Sequence, residues 1–218
     1  MAEPVPLRAD AERNRQRLLD AAREIFADRG LDVTLDEIAR QAGVGTGTAY
    51  RRFANKDALI EALMVGRIGE LQAIARQCLE EPDPWLGLVR FFERSLALQA
   101  ADRGLKDVLF SAARGRPEVA KARGALTPIV ATLVRRAVEA GAVREDLETT
   151  DVPLIIFMVN TVVDLTRDVE PELYRRYLAI VLDGLRPEGQ GTDPLPVGAL
   201  SVPRFQDTLA AIPRPPRG

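Results

Sequence analysis

No histidine occurs anywhere in the 218 residues. That removes Ser–His and Cys–His catalysis, histidine-based metal sites and the usual route to a pH switch near neutrality. The one cysteine, Cys78, cannot close an intrachain disulfide, and it reads as a small core hydrophobe in a reducing cytoplasm. The motifs C-x-x-C, G-x-S-x-G and G-x-x-x-x-G-K-[ST] are all absent. Only a carboxylate pair remains for acid–base work, and nothing nominates one. The expectation is a protein that is not an enzyme, with no cofactor and no metal. Long apolar runs are missing too. The longest, from Val152 to Val163, is interrupted by Pro153, Asn160 and Thr161 and falls short of the about 18 residues that a membrane span needs. The N-terminal M-A-E-P-V-P-L-R has no basic segment followed by an apolar one, so no secretory signal is expected and the chain is placed in the cytoplasm.

An excess of positive charge is also lacking, since the formal net charge is −2. Residues 1–60 hold ten Arg and Lys against ten Asp and Glu. Attraction to a polyanion must therefore come from local placement. Arg13, Arg15 and Arg17 cluster at one end of the first predicted helix, and Arg51, Arg52 and Lys56 cluster farther on.

What is present is helical periodicity, and the spacing predicts an all-α chain of about nine helices. Residues 10–29 carry Leu18, Leu19, Ala22, Ile25 and Phe26 on one stripe, with Gly30 as the stop. Thr34 opens the next helix as N-cap, and Glu37 three residues later completes a T-x-x-E capping box. Gly43 falls where a sharp turn needs positive φ. On the following helix, to about Phe53, Ala49 and Phe53 share the inner face. Gly47, Thr48, Arg51 and Arg52 lie opposite, with Thr46 and Tyr50 at one edge. A long helix runs over residues 56–80, ended by Glu81-Pro82-Asp83-Pro84. Further helices are predicted over 85–101, 105–113, 117–140, 151–167 and 171–184, and Pro128 should kink or split the one containing it.

After Gly184 the composition changes, because residues 186–218 hold seven of the 15 prolines. This segment reads as a mostly disordered tail, with a short helix near 204–211. The string Gly43-x-Gly45-x-Gly47 is not a dinucleotide fingerprint, because its spacing differs and it follows a helix instead of a strand.

Short hydroxyl and arginine side chains on a two-turn helix behind a glycine turn suit a DNA major groove. The run T-L-D-E-I-A-R-Q-A-G-V, then G-T-A-Y-R-R-F and N-K-D-A-L, resembles the helix-turn-helix of TetR-family transcriptional regulators over about residues 12–70. The resemblance implies an N-terminal three-helix DNA-binding domain at 10–56, with its reading unit at 34–53. A long helix would join it to a helical ligand-binding and dimerisation domain at 57–185, and the tail would occupy 186–218. The implied partners are double-stranded DNA with a palindromic operator, a small-molecule effector that releases it, and a second copy of the chain, with no membrane. Thr46, Thr48 and Arg52 would reach bases or their surroundings, and Gly47 would allow close backbone approach. Tyr50, Lys56 and Thr34 would hold phosphates, while Arg51 suits either role.

In the second domain Trp85, Phe91, Phe92, Phe110, Phe157 and Met158 are candidate pocket walls, with Asn160 and Asp164 as polar anchors. Core packing is the plainer reading for each of these residues alone. The alternatives are a constitutive regulator without a small-molecule ligand and a protein-interaction bundle that has lost DNA binding. The intact Thr48, Tyr50 and Lys56 argue against the bundle.

Overall fold

The computed structural model describes residues 5–100, 116–166, 168–187, 195 and 197–211, with side chains over residues 9–207 of these segments. Nine helices and no strand occur among them: α1 (Val5–Arg29), α2 (Leu35–Gln41), α3 (Thr46–Arg52), α4 (Lys56–Leu79), α5 (Pro84–Ala100), α6 (Pro117–Glu139), α7 (Asp151–Thr166), α8 (Tyr174–Gly184) and α9 (Val202–Ala211). The all-α expectation therefore holds. The helix predicted over 105–113 lies outside the described residues. No helix among those described is long and apolar enough to cross a membrane.

The chain divides into two compact units, with a boundary between Arg67 and Ile68 inside α4. In the first unit α1, α2 and α3 pack on one another. The predicted stripe Leu18, Leu19, Ala22, Ile25 and Phe26 is buried there with Ile38, Ala49 and Phe53. Leu59, Ile60, Leu63 and Met64 of α4 are buried too. This second apolar stripe accounts for the unit running to Arg67 and not stopping where α4 begins.

The second unit has its own core, in which Leu88, Phe91, Phe92 and Leu96 of α5 are buried with Leu133, Val152, Val159 and Leu178. Here α5, α7 and α8 pack pairwise. The guanidinium of Arg136 donates to the carbonyls of Leu79 and Glu81, supplying positive charge to orphan acceptors where α4 ends.

Two sequence expectations change in detail. Pro128 does not split its helix, which runs unbroken from Pro117 to Glu139. The backbone bond that proline removes would have ended on the Gly124 carbonyl, and both residues are exposed, so that acceptor is left open to solvent. The last helix of the second core starts at Tyr174 instead of Pro171, with residues 171–173 forming turns.

The proline-rich tail is anchored at two points. The Leu195 N–H donates to Asp146 Oδ2 at 3.2 Å, and Thr150 Oγ1 donates to the Leu200 carbonyl at 2.7 Å. The Asp146 carboxyl is held at a pKa of about 2, first by Arg144 and then by this tail N–H. α9 begins at Val202 and takes Pro203 in its first turn, where a missing N–H costs nothing.

Candidate nucleic-acid interface

Every bond of the predicted capping box forms. Thr34 Oγ1 accepts the Glu37 N–H at 3.2 Å, and the Thr34 N–H donates to Glu37 Oε2 at 2.8 Å. The Thr34 hydroxyl also donates to Glu37 Oε2 at 2.9 Å, and Arg29 reaches Oε1 at 2.8 Å. The Thr34 N–H, Arg29 and the Thr34 hydroxyl, in that order, hold the Glu37 carboxyl at a pKa of about 2. This network ties the end of α1 to the start of α2. It also commits the Thr34 hydroxyl, which reaches a phosphate only by leaving Glu37.

The turn into α3 is built on Gly43, whose φ is +60°. Its N–H donates to the Arg40 carbonyl at 3.1 Å, and the Val44 N–H donates to that of Ala39 at 2.9 Å. That pair of bonds is a Schellman ending, which places a left-handed residue after the helix and turns the chain sharply. Val44 is buried at the junction.

α3 is fixed from beneath by Ala49 and Phe53, which are 0% and 5% exposed. Arg15 of α1 lies over the Phe53 ring, 5.8 Å from its centroid. The opposite face is left to the outside: Thr46, Gly47, Tyr50, Arg51 and Arg52 are exposed, and Thr48 is half-buried. Arg51 Nη2 donates to Thr48 Oγ1 at 2.9 Å, so these two side chains act as one unit. Tyr50 keeps 49% of its surface exposed instead of tucking against Phe53. A Cβ added to Gly47 meets nothing within 4 Å and φ there is not positive, so the chain itself gives no reason for glycine.

Lys56 is half-buried at the start of α4, and its ammonium donates to the Leu31 carbonyl at 2.7 Å. Two of its three N–H groups remain for a partner. Asn55 Oδ1 accepts the Ala58 N–H at 2.9 Å and caps the same helix.

The zero net charge of residues 1–60 conceals an asymmetry. Along α1 three arginines are matched by carboxylates one turn away, Arg13 with Asp10, Arg15 with Glu12 at 3.7 Å and Arg23 with Asp20 at 3.4 Å. Arg29 pairs with Glu37. Among the described residues Arg17, Arg40 and Arg52 have no such ion pair. The Arg17 guanidinium lies at the α2–α3 turn, 3.0 Å from where a Gly43 Cβ would stand. Arg40 precedes that turn, and Arg52 ends α3. Cationic charge without an acidic partner is thus concentrated at the turn and the reading helix. Arg40 was not singled out from sequence, and Arg17 was named there only in the cluster with Arg13 and Arg15; Asp20 lies three residues from both Arg17 and Arg23, and the structure pairs it with Arg23.

In the second unit the pocket candidates separate. Phe91 and Phe92 are core, at 2% and 0% exposure, and Trp85 is half-buried under Arg186, whose guanidinium carbon sits 3.8 Å from the ring centroid. Phe157 and Asp164 are exposed on α7, while Asn160 is buried and bonded to Gln99. Phe110 lies outside the described residues.

Comparison with known proteins places these features in context. A family model described as bacterial regulatory proteins, tetR family, matches residues 18–63. A second, for the C-terminal domain of SbtR-like transcriptional regulators, matches residues 83–187. The crystal structure of the TetR transcription regulatory protein from Mycobacterium vanbaalenii is 35% identical, with a TM-score of 0.60, over 83% of this chain and 99% of that one. The HTH-type transcriptional regulator SrpR of Pseudomonas putida is 47% identical over 60 residues, so the match spans only 28% of SrpR. FadR of Bacillus subtilis, solved in complex with stearoyl-CoA, aligns over 78% of this chain with a TM-score of 0.64, and its 21% identity shows a shared fold alone.

Proposed function

The chain belongs to the TetR family of bacterial regulatory proteins, and from that premise we propose that it is a ligand-released repressor that grips a palindromic operator as a homodimer. DNA binding follows from the family. The observation that carries the residue assignments is α3 itself, with Ala49 and Phe53 buried beneath it and its polar face exposed.

In this reading Thr46, Thr48 and Arg52 meet base edges in the major groove, with Arg51 beside them. Gly47 lets the backbone come close. Tyr50 and Lys56 hold phosphates, as do the unmatched Arg17 and Arg40, and Thr34 joins them once its hydroxyl leaves Glu37.

The homodimer is supported by α7 and α8. Leu154, Phe157, Met158 and Leu165 leave large apolar surface exposed along one side of α7, as Tyr177 and Ile180 do on α8. α7 and α8 pack on each other. Leu154, Met158, Thr161 and Leu165 fall four, three and four residues apart, the spacing of a helix seam with Phe157 at its side, and a second copy of the same helix pair is the self-complementary partner for it. Two reading helices related by a two-fold axis then require two inverted half-sites about one helical turn apart or somewhat more.

Effector release is supported by the separate second core and by the neighbour of the same fold that was solved with stearoyl-CoA. An effector that prefers the DNA-free arrangement, bound in the second domain and acting through α4, needs a coupling of about 1–3 kcal/mol to lower operator affinity several-fold to about a hundredfold.

Salt dependence tests the DNA-facing assignments. Operator affinity of the wild type should fall linearly on a log–log plot against salt. Arg17→Ala and Arg40→Ala should each reduce the slope by about two, one phosphate contact in each half-site, while weakening all sequences alike. An unchanged slope in both variants would remove these residues from the interface.

A further inference from the structure

In the second unit the described residues include three buried polar side chains, Ser95, Thr150 and Asn160, and none of them is charged. The Thr150 hydroxyl is spent on the Leu200 carbonyl. Ser95 is different: it is 0% exposed, and its hydroxyl has no partner among the described residues. A buried hydroxyl without a bond lowers stability, and a serine that served packing alone would be better replaced by alanine. One turn farther along α5, on the same face, Gln99 Oε1 accepts an N–H from Asn160 of α7 at 2.6 Å. Asn160 is 2% exposed. α5 and α7 pack directly on each other, the Gln99–Asn160 bond spans that helix–helix seam with Ser95 one turn back on the same face of α5, and Phe91, Phe92, Leu96 and Val163 of the two helices belong to the same buried cluster.

We infer that Ser95, Gln99 and Asn160 recognise an uncharged, mainly apolar effector through one hydroxyl, amide or carbonyl group. This rests on the effector-released reading and assigns its ligand chemistry. The aromatic and aliphatic walls take the apolar body. The Ser95 hydroxyl gains the partner it lacks, and the Gln99–Asn160 pair exchanges its mutual bond for bonds to the ligand. A carboxylate or phosphate brought to this seam meets no buried cation among these side chains and loses its hydration without compensation.

Two probes with one aromatic skeleton and one bridging N–H separate the cases: neutral N-phenyl-1-naphthylamine and the anionic 8-anilino-1-naphthalenesulfonate. Each is titrated by fluorescence into the full chain, wild type beside Ser95→Ala/Asn160→Leu, and the melting temperature of both proteins is recorded. The neutral probe is expected to saturate the wild type and to bind at least about tenfold more tightly than the sulfonate. The double variant should lose at least about tenfold of that affinity while still melting cooperatively, because removal of the unpaired Ser95 hydroxyl offsets the loss of the Asn160–Gln99 bond. Equal binding of the neutral probe by both proteins, tighter binding of the sulfonate, no saturable binding, or a lowered melting temperature with unchanged probe affinity would each overturn the assignment. Operator release by a metabolite extract keeps this failure separate from that of the parent reading. Release that persists in the double variant removes these three residues and keeps the effector, whereas no release from wild type removes the effector itself.

Discussion

Met158→Glu combined with Ile180→Glu should turn the protein into monomers and weaken binding to a two-half-site operator by about 10²- to 10⁴-fold. Both residues are solvent-facing in the single chain, at 52% and 56% exposure, so their replacement should change the chain's own stability by no more than about 0.5 kcal/mol. The cost arises at the two-fold axis. Self-complementarity brings each substitution in twice, and four carboxylates would have to give up water inside an apolar seam. Once the copies separate, the second half-site no longer benefits from the high effective concentration that the first contact creates. Analytical ultracentrifugation reads the assembly, and titration of one- and two-half-site duplexes reads the affinity. The variant should bind the single half-site as wild type does and lose the advantage of the second. A variant that stays dimeric with full operator affinity would place the interface elsewhere.

Gly47→Ala should separate stability from function in opposite directions. The backbone there is helical, and the added methyl meets open space within 4 Å, so the folded state should gain about 0.4–1 kcal/mol from the reduced freedom of the unfolded chain. Operator affinity should nevertheless fall about tenfold per half-site and about a hundredfold for the dimer, which corresponds to the about 1–3 kcal/mol that a lost close contact costs at each site. The two copies contribute additively because they are far apart. Chemical denaturation measures the first quantity and equilibrium binding the second. A more stable variant with unchanged affinity would show that α3 does not bring its backbone close to DNA. A less stable variant would mean that the glycine serves the fold.

The reading unit was legible from sequence because each of its boundaries has a local cause. The T-x-x-E box, the glycine at positive φ and the inward pair Ala49/Phe53 act within a few residues, and every bond they imply is present. The electrostatics were harder to read because a net charge sums over the chain, whereas ion pairs depend on which carboxylate lies one turn away. Asp10, Glu12 and Asp20 neutralise Arg13, Arg15 and Arg23 and leave Arg17 unmatched. Pro128 does not split its helix, since on an exposed face the carbonyl that loses its backbone donor is open to solvent.

In the second unit the aromatics were visible but their roles were not. Phe91 and Phe157 carry the same chemistry, yet one is core and the other faces outward, and only the packing partners decide between them. Ser95 gave no signal at all, because one serine on an amphipathic helix alters no periodicity. Its meaning comes from a hydroxyl that ends up buried without a partner.

Selection of bound sequences from random duplex DNA, with wild type beside Tyr50→Ala/Lys56→Ala, tests the central claim most directly. Both residues have modest structural ties, a half-exposed ring and one bond to the Leu31 carbonyl, so melting curves establish that the variant is folded. The account predicts that wild type enriches a palindrome of two inverted half-sites and that the double variant enriches none. No enrichment by wild type at low salt, or the same palindrome enriched equally by both proteins, would contradict it.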